Sequence, residues 1–175
     1  AAADVYKRQI HWRNDLRRSL NIVDIVTRDR NSLFEKLTGA FSVASLNILG
    51  ARAVTRKDGL AIDVFYVEDK NGGVVDDPKI RQLCESSIRS FLADKIYPDE
   101  LISEKKKKTD RSKLFLNQDK LGERIASQVD VYRDISLNRT IVEVRAPDQV
   151  GLLHLIAKTI STCGFSIQFA RIATE

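Results

Sequence analysis

Residues 22–55 read IVDIVTRDRNSLFEKLTGAFSVASLNILGARAVT, and residues 141–174 read IVEVRAPDQVGLLHLIAKTISTCGFSIQFARIAT. The two stretches are offset by 119 residues without a gap, and 9 of their 34 positions are identical. Most apolar positions of the first stretch fall on apolar positions of the second. An internal repeat of this kind predicts two structural units with the same fold.

The first copy has the pattern of a strand, a helix and a second strand. Leu20–Thr27 is rich in β-branched residues and is predicted to be a buried strand. Asp29 is the expected helix N-cap, because its carboxylate can accept hydrogen bonds from the first turn. The following apolar residues have helical spacing and form one stripe: Leu33, Leu37, Ala40, Phe41 and Ala44. The segment 46–56 is the predicted second strand.

The chain then continues with a hairpin and a second helix. Lys57-Asp58-Gly59 predicts a tight turn in which both central residues have positive φ. The predicted third strand is Leu60–Glu68. Asp77 is the expected cap of a second helix that starts at Pro78 and has Lys95 in its last turn.

The fold class predicted from these elements is α+β, a ferredoxin-like βαββαβ plait. Residues 128–135 alternate with period two and would supply the fourth strand of the first unit. The first domain would then span residues 20–136 and contain a basic linker at 97–126. Residues 1–19 would be a partly helical connector. Residues 137–175 would form an incomplete second copy, with only strand, helix and strand.

Composition narrows the possible classes of protein. The net charge of +5 comes mostly from residues 104–113, which we interpret as a solvated linker rather than a phosphate site. No apolar run is long enough to span a bilayer and no signal peptide is visible, so the expected location is the cytoplasm, away from membranes. The 175 residues include no methionine, and we expect a fragment of a longer chain, cut at both ends.

No catalytic or metal-binding set is apparent in the sequence. Cys84 and Cys163 have no metal or redox spacing, and both are expected to be buried hydrophobic residues. The two histidines are His11 and His154, and His154 is expected to lie beside the apolar stripe of its helix rather than to bind a metal. We therefore predict no catalytic residue, no metal ligand and no cofactor in this chain.

The two turns and the two strand ends resemble those of the ACT domain family. Each turn has the form Asp-x-x-Gly/Ser-Leu, and the strands end in ARAVT and ARIAT. The segments DVFYVED, GLLHLIAKTI and FARIAT are similar to the tandem ACT region of bacterial uridylyltransferase/uridylyl-removing enzymes. This resemblance implies an allosteric module that senses an amino acid, expected to be glutamine. The parent enzyme would be a nucleotidyltransferase that uses Mg²⁺ and UTP, and the implied partners are its catalytic domains and, through them, the nitrogen-signalling protein PII.

The resemblance places a ligand at the turn after the first strand and at the start of the next strand. Free N–H groups at a helix N-terminus suit a carboxylate, and aspartates or strand carbonyls suit an ammonium. The candidate ligand-binding residues are Asp148, Gln149, Val150, Gly151, Leu152 and Ser166 in the second copy, and Asp29, Arg30, Asn31, Ser32 and Asn47 in the first. The family's turn has glycine where the first copy has Ser32, and glycine lets a ligand approach the backbone. The site is therefore expected in the second copy, which keeps Gly151.

Other interpretations of the same residues remain open. Asp29 and Asp148 would also serve as simple helix caps. The chain could instead be a ligand-free interaction or dimerisation module, and a homodimer through the sheets is expected because the second copy has open strand edges. RNA binding is suggested by the shared βαββαβ order, but adjacent Phe65 and Tyr66 point to opposite faces of their strand, so no nucleic acid is expected.

Overall fold

The computed structural model describes residues 9–116, 127–136, 138–147 and 149–172. Within these residues the chain is an α+β protein whose seven strands form two antiparallel sheets beside four helices. The elements in chain order are β1 Gln9–Asp15, β2 Leu20–Arg28, α1 Leu33–Val43, β3 Asn47–Thr55, β4 Leu60–Glu68, α2 Pro78–Leu92, α3 Pro98–Leu116, β5 Gln128–Asp134, β6 Arg139–Arg145, α4 Leu152–Thr162 and β7 Phe169–Arg171.

The larger sheet has the strand order β1-β2-β4-β3-β7, and all its neighbours are antiparallel. Alternate side chains of β2 and β4 face the helices and form the core with α1 and α2. Phe65 of β4 stacks against Phe34 and Phe41 of the α1 helix, with ring centroids 5.5 and 4.8 Å apart. This arrangement is consistent with a ferredoxin-like plait and confirms the predicted strands at 20–27 and 60–68 to within a residue.

The fourth strand of the first unit comes from a different part of the chain than predicted. Residues 9–15 form β1, which pairs with β2, so the expected helical connector is wrong for this segment. Trp12 explains the placement: its ring packs against the core and its Nε1 donates to Glu85 Oε1 at 3.2 Å. The assignment of residues 128–135 to the first sheet is wrong, because 128–134 form β5 and pair with β6 in a separate two-stranded sheet.

The start of α1 also differs from the prediction. Asp29 does not cap the helix, because its Oδ1 accepts from the backbone N–H of Arg30, at 2.9 Å, before the helix begins. The N-cap is Ser32, with φ 60° and ψ 20° and no side-chain capping bond. The second copy repeats this geometry with Gly151 at φ 78°, while Asp148 lies outside the described residues.

The hairpin and the second helix confirm their predictions in part. Of the central turn residues, Gly59 alone has a positive φ, 77°. The Arg56 N–H donates to Leu60 O at 2.8 Å, so the loop closed by this bond has three residues rather than the two expected. Asp77 caps α2 as predicted, accepting from Lys79 N–H at 2.8 Å. The helix ends at Leu92, so Lys95 lies beyond the last turn.

The segment predicted as a linker is a helix over residues 98–116, and the remainder of that segment falls outside the described residues. Helix α3 starts at Pro98, has Asp99 and Glu100 in its first turn, and buries Ile102. These are favourable residues for a helix start, since proline needs no N–H there and acids favour the positive helix end. The described helices include none with the length and apolarity that crossing a membrane requires.

The repeat is longer than the sequence indicated, and it relates the two copies by an approximate twofold axis. The offset of 119 maps β1 onto β5, β2 onto β6 and α1 onto α4, with the same strand register in both hairpins. Strand β7 pairs with β3, and the central pair is Ala51 with its own repeat equivalent, Ala170. Helices α1 and α4 pack against each other, and Glu35 O contacts its equivalent residue His154, at Nδ1, 2.9 Å away. The second copy therefore adds one strand, β7, to the edge of the larger sheet, while its β5–β6 hairpin forms a separate sheet, and the homodimer stays a prediction.

Candidate functional site

A groove of about 1320 Å³ opens where the two copies meet. One wall is the turn between β2 and α1, residues 29–35, and the second half of β3, residues 52–55. The other wall is the end of α4 and the segment that follows it, residues 164–169. We call this cavity the open groove. Because each copy supplies one wall, its shape depends on how the copies pack.

The turn offers hydrogen-bond donors to this groove. The N–H of Asp29 donates to Gly59 O at 2.9 Å, and this bond fixes the entry to the turn. The N–H groups of Asn31 and Ser32 have no acceptor among the residues that the structure describes. Ser32 Oγ lies 3.2 Å from Ser161 Oγ of the second copy. Free N–H groups at the start of a helix carry partial positive charge, which suits a carboxylate.

The side chain of Arg30 supports the turn instead of facing the groove. Its guanidinium donates to Leu92 O at the end of α2 and to the Asp94 carboxylate, which also accepts from Lys36 Nζ. The hydrogen bonds from Lys36 and Arg30 hold the pKa of Asp94 below its usual value. Arg30 therefore ties the turn to the end of the helix behind it, and its predicted contact with a ligand would have to come from the backbone.

Asp63, which the sequence patterns did not single out, lines the groove from the centre of β4. Asp63 is 3% exposed, and its Oδ2 has no hydrogen-bond partner in the described part of the chain. Burial, and then the charge of Asp29, raise the pKa of Asp63 to about 7. A signal was present in the sequence: Asp63 occupies the inward-facing row of β4 between Ala61 and Phe65, where every other residue is apolar. A buried carboxylate without a partner is unfavourable unless a cation or donor arrives.

Charges of both signs surround the open groove. Arg52 and Arg139 line it together with Asp29, Glu35 and Asp63. The end of α4 adds the carbonyls of its last turn, which lie at the negative end of the helix. Such a mixture suits a small zwitterion, because one end can meet donors and the other can meet acceptors.

The predicted residues of the second copy are arranged differently. Ser166 lines the open groove, but residues 149–152 do not. Gly151 is buried under α3, and a Cβ at this position would lie 2.6 Å from Cγ2 of Ile102. The structure therefore brings Ser166 together with the turn of the first copy, 29–32, and covers the turn of the second copy.

Asn47 is also absent from the groove. It lies at the far end of β3, where its Nδ2 is 3.5 Å from Glu68 Oε1 and 3.4 Å from Asp69 O. The β3 residues that do reach the groove are 52–55, at the opposite end of the strand. A strand rises about 3.3 Å per residue, so Asn47 is several residues too early to reach the groove.

His154 belongs to a cluster at the junction of three helices. His154 is buried, and its Nε2 lies 3.3 Å from Asp99 Oδ1, while Lys158 Nζ donates to Asp99 Oδ2 at 2.8 Å. Burial raises the pKa of Asp99, but the hydrogen bonds from Lys158 and His154 outweigh it and leave that pKa below its usual value. Glu35 completes a set of three groups of metal-binding type, within 4.8 Å of one another. Because Lys158 already neutralises Asp99, we assign no metal to this cluster.

The cysteines differ from each other. Cys84 is buried in the core, as predicted, and burial raises the pKa of its thiol. Cys163 is exposed, so the prediction that it is buried is wrong. It is the C-cap of α4, one residue past the last helical residue, Thr162.

Comparisons with known proteins place this chain beside one group of bacterial enzymes. No family model and no solved structure matches. The chain is 33% identical over 153 residues to the bifunctional uridylyltransferase/uridylyl-removing enzyme of Caulobacter vibrioides. This match covers 86% of the chain and 15% of the enzyme. It is 34% identical over 164 residues to the enzyme of Phenylobacterium zucineum, and this match covers 90% of the chain and 16% of the enzyme. It is 28% identical over 168 residues to the enzyme of Azospirillum brasilense, and this match covers 94% of the chain and 17% of the enzyme. The chain thus spans about a sixth of the length of these relatives, and it is similar to one segment of them.

Proposed function

We propose that this chain is an ACT-type module that senses a free amino acid, with glutamine as the expected ligand, inside an enzyme of the uridylyltransferase/uridylyl-removing type. One observation carries the proposal: Asp63 is a buried carboxylate without a partner among the described residues, and it lines a groove that also presents the free N–H groups of Asn31 and Ser32. The antiparallel strand order, which is consistent with a ferredoxin-like plait, supports the ACT assignment.

The groove has complementary groups for each part of an amino acid. Asp63 and Asp29 would accept from the ligand's ammonium, and the ammonium would keep Asp63 ionised. The N–H groups of the turn would bind the carboxylate. Hydroxyls of Ser161 and Ser166 line the same groove and would meet the amide of a glutamine side chain.

The position of the groove gives the ligand a means of control. Its two walls belong to the two copies, so bound ligand would favour the arrangement in which α1 packs against α4 and β7 pairs with β3. A ligand shifts a conformational equilibrium by its difference in affinity for the two states. This module would carry no catalytic site of its own. The catalytic domains, with their Mg²⁺, their UTP and their PII substrate, would belong to the rest of the parent enzyme.

Isothermal titration calorimetry with each of the twenty amino acids tests the proposal. We expect saturable heat with glutamine. Asp63→Asn should weaken binding at pH 8 by about thirty-fold or more, because a buried charged contact is lost. Asp58→Asn, an exposed change in the β3–β4 hairpin, is the matched control and should bind as the unmodified chain does. Absence of heat with all twenty amino acids would contradict the sensing function.

A ligand-free interaction module is the second candidate, and exposed apolar side chains on the smaller sheet favour it. Strands β5 and β6 expose Val129, Val131, Tyr132 and Val142 by 41 to 64% of their surfaces. Light scattering across a concentration series separates the candidates, since this function predicts a concentration-dependent dimer without any amino acid. RNA binding is disfavoured further, because Phe65 is fully buried and has no surface on which a base could stack.

A further inference from the structure

Helix α3 packs across the contact between the two copies. Its first residue, Pro98, lies against Gly39 of α1, and Ile102 is buried against Gly151 at the start of α4. Farther along the helix, Lys105 Nζ donates to two backbone carbonyls at the end of α1, at 2.8 and 2.9 Å. Helix α3 therefore joins α1 of the first copy to α4 of the second copy.

His154 lies in this junction between two hydrogen-bond acceptors. Its Nδ1 is 2.9 Å from Glu35 O on α1, and its Nε2 is 3.3 Å from Asp99 Oδ1 on α3. A carbonyl oxygen can only accept, so the contact with Glu35 requires a hydrogen on Nδ1. The pKa of Asp99 lies below its usual value despite burial, because Lys158 and His154 donate to it, so its oxygens also only accept. Both contacts are thus hydrogen bonds only when both ring nitrogens carry a hydrogen, which is the protonated form of the ring.

Charged groups face His154 from all three helices of the junction. The carboxylates of Glu35 on α1 and Asp99 on α3 lie with the imidazole in a set whose members are within 4.8 Å of one another. Lys158, on the same helix as His154, donates to the second oxygen of Asp99 at 2.8 Å. His154 is 2% exposed, so solvent has little access to the ring. Loss of one proton would leave a lone pair of the ring facing an ionised carboxylate, and the contact between α3 and α4 would weaken.

The junction lies directly behind the open groove. Glu35, whose carbonyl meets His154, lines that groove, and so does Ala157, one turn after His154 on α4. Ser32 Oγ and Ser161 Oγ, which lie 3.2 Å apart, join the same two copies at the groove itself. The separation of the groove's walls therefore depends on how α1 and α4 pack, and the contact at His154 is part of that packing.

We propose that His154, the Asp99 carboxylate and the Glu35 carbonyl form a pH-sensitive latch, which holds α3 across the two copies and thereby sets the affinity of the open groove for its ligand. This inference rests on the proposed function of that groove. The latched state holds a proton that the released state does not need. Its population should therefore fall as the pH rises through about 5 to 8, the range in which histidines titrate. A rise in pH would loosen α3 and weaken binding in the groove.

Hydrogen exchange at pH 6 and pH 8 tests the latch without any ligand. Protection factors of the α3 amides at 102–105 are compared with those of α2, which serve as the reference. In the unmodified chain we expect the relative protection to fall about tenfold from pH 6 to pH 8, since a charged hydrogen bond is lost. Asp99→Asn should stay protected at both values, because a side-chain amide can donate to the neutral ring. Glu100→Gln changes an exposed acid of the same turn and should behave as the unmodified chain does.

A second variant, His154→Gln, removes the titrating ring and should abolish the pH dependence of the relative protection. The latch is refuted if the relative protection of α3 in the unmodified chain is the same at both pH values. It is also refuted if the protection falls as much in His154→Gln or in Asp99→Asn as in the unmodified chain, since another group would then cause the change.

Calorimetry with glutamine at the same two pH values tests the link to the open groove. The titration of Asp63 is common to the unmodified chain and to Asp99→Asn, so it cancels in the ratio of their affinities. We expect equal affinities at pH 6 and about fivefold tighter binding by Asp99→Asn at pH 8. Equal affinities at pH 8 would overturn the control of the groove by the latch. If neither protein binds glutamine, the open groove fails as a glutamine sensor, and the exchange result alone decides whether the latch exists.

Discussion

Replacing Asp63 with asparagine should make the chain more stable at alkaline pH. The carboxylate is buried, and its pKa is about 7 when folded against 3.8 when exposed. The folded state therefore binds the proton more tightly than the unfolded state does. The free energy of unfolding should fall as the pH rises from about 4 to about 7, and it should level off above that range.

Proton linkage gives the size of the effect. With these two pKa values, ionisation of Asp63 lowers the free energy of unfolding by about 3 kcal/mol between pH 5 and pH 8. Asparagine has nearly the same shape and does not titrate, so Asp63→Asn should lose this part of the pH dependence. Because both histidines and all other acids are present in both proteins, their titrations cancel in the difference.

Urea unfolding of both proteins at pH 5, 6, 7 and 8 measures this difference. Asp63→Asn should gain about 3 kcal/mol relative to the unmodified chain from the lowest pH to the highest. Asp76→Asn changes an exposed acid and is the control, with a curve parallel to that of the unmodified chain. If the curve of Asp63→Asn is also parallel to that of the unmodified chain, burial does not raise the pKa of Asp63 and the expected linkage is refuted.

Other predictions concern the contacts that hold the copies together and the strand that the sequence misplaced. Gly151→Ala should lower the free energy of unfolding by about 3 kcal/mol, since it adds a clash with Ile102 to the strain of a positive φ. The control Gly164→Ala has a similar φ of 81° and no atom nearby, so it should lower the free energy of unfolding by only about 1 kcal/mol. Equal losses in urea unfolding would show that α3 does not cover the turn. Trp12→Ala should lower the free energy of unfolding by about 2 kcal/mol in the same assay, because β1 is part of the sheet and Trp12 packs on the core. The control His11→Ala changes an exposed residue of the same strand and should lower it little. A negligible effect of Trp12→Ala would show that β1 does not stabilise the sheet.

Local patterns predicted most of the first copy. Alternating and helical apolar spacing located β2, β3, β4, α1 and α2 to within a few residues, because each of these elements buries one face. The repeat located β6 and α4 for the same reason. The side chains that face the core determine these periods, so short stretches of sequence carry enough information.

Pairing between distant segments was beyond such patterns. Residues 9–15 and 128–134 are equivalent strands, but only their first and last residues are identical, so the repeat was not visible there. Both alternate well enough to fill the edge beside β2. What decides between them is the packing of Ile10 and Trp12 on the core of the first copy, which depends on the three-dimensional arrangement.

The candidate site was predicted in part. The turn 29–32 and Ser166 were expected and do line the open groove, since the helix start and the following strand are local features. Asp63 was missed because a single acid in an apolar row looks like an exception until its burial is known. The preference for the second copy rested on Gly151, yet the structure uses that glycine for a close approach by Ile102 of α3, which sequence alone had suggested to be a solvated linker.

The location of amino-acid binding tests the central claim most directly. In a titration of the ¹⁵N-labelled chain with glutamine, followed by amide chemical shifts, we expect saturable changes at Asn31 and Ser32 and at residues 164–166, which lie on the two walls of the open groove. Helix α2 lies away from the groove and should serve as the internal reference. Shifts confined to other surfaces, or no saturable shift at any amide, would contradict the proposal that this groove senses an amino acid.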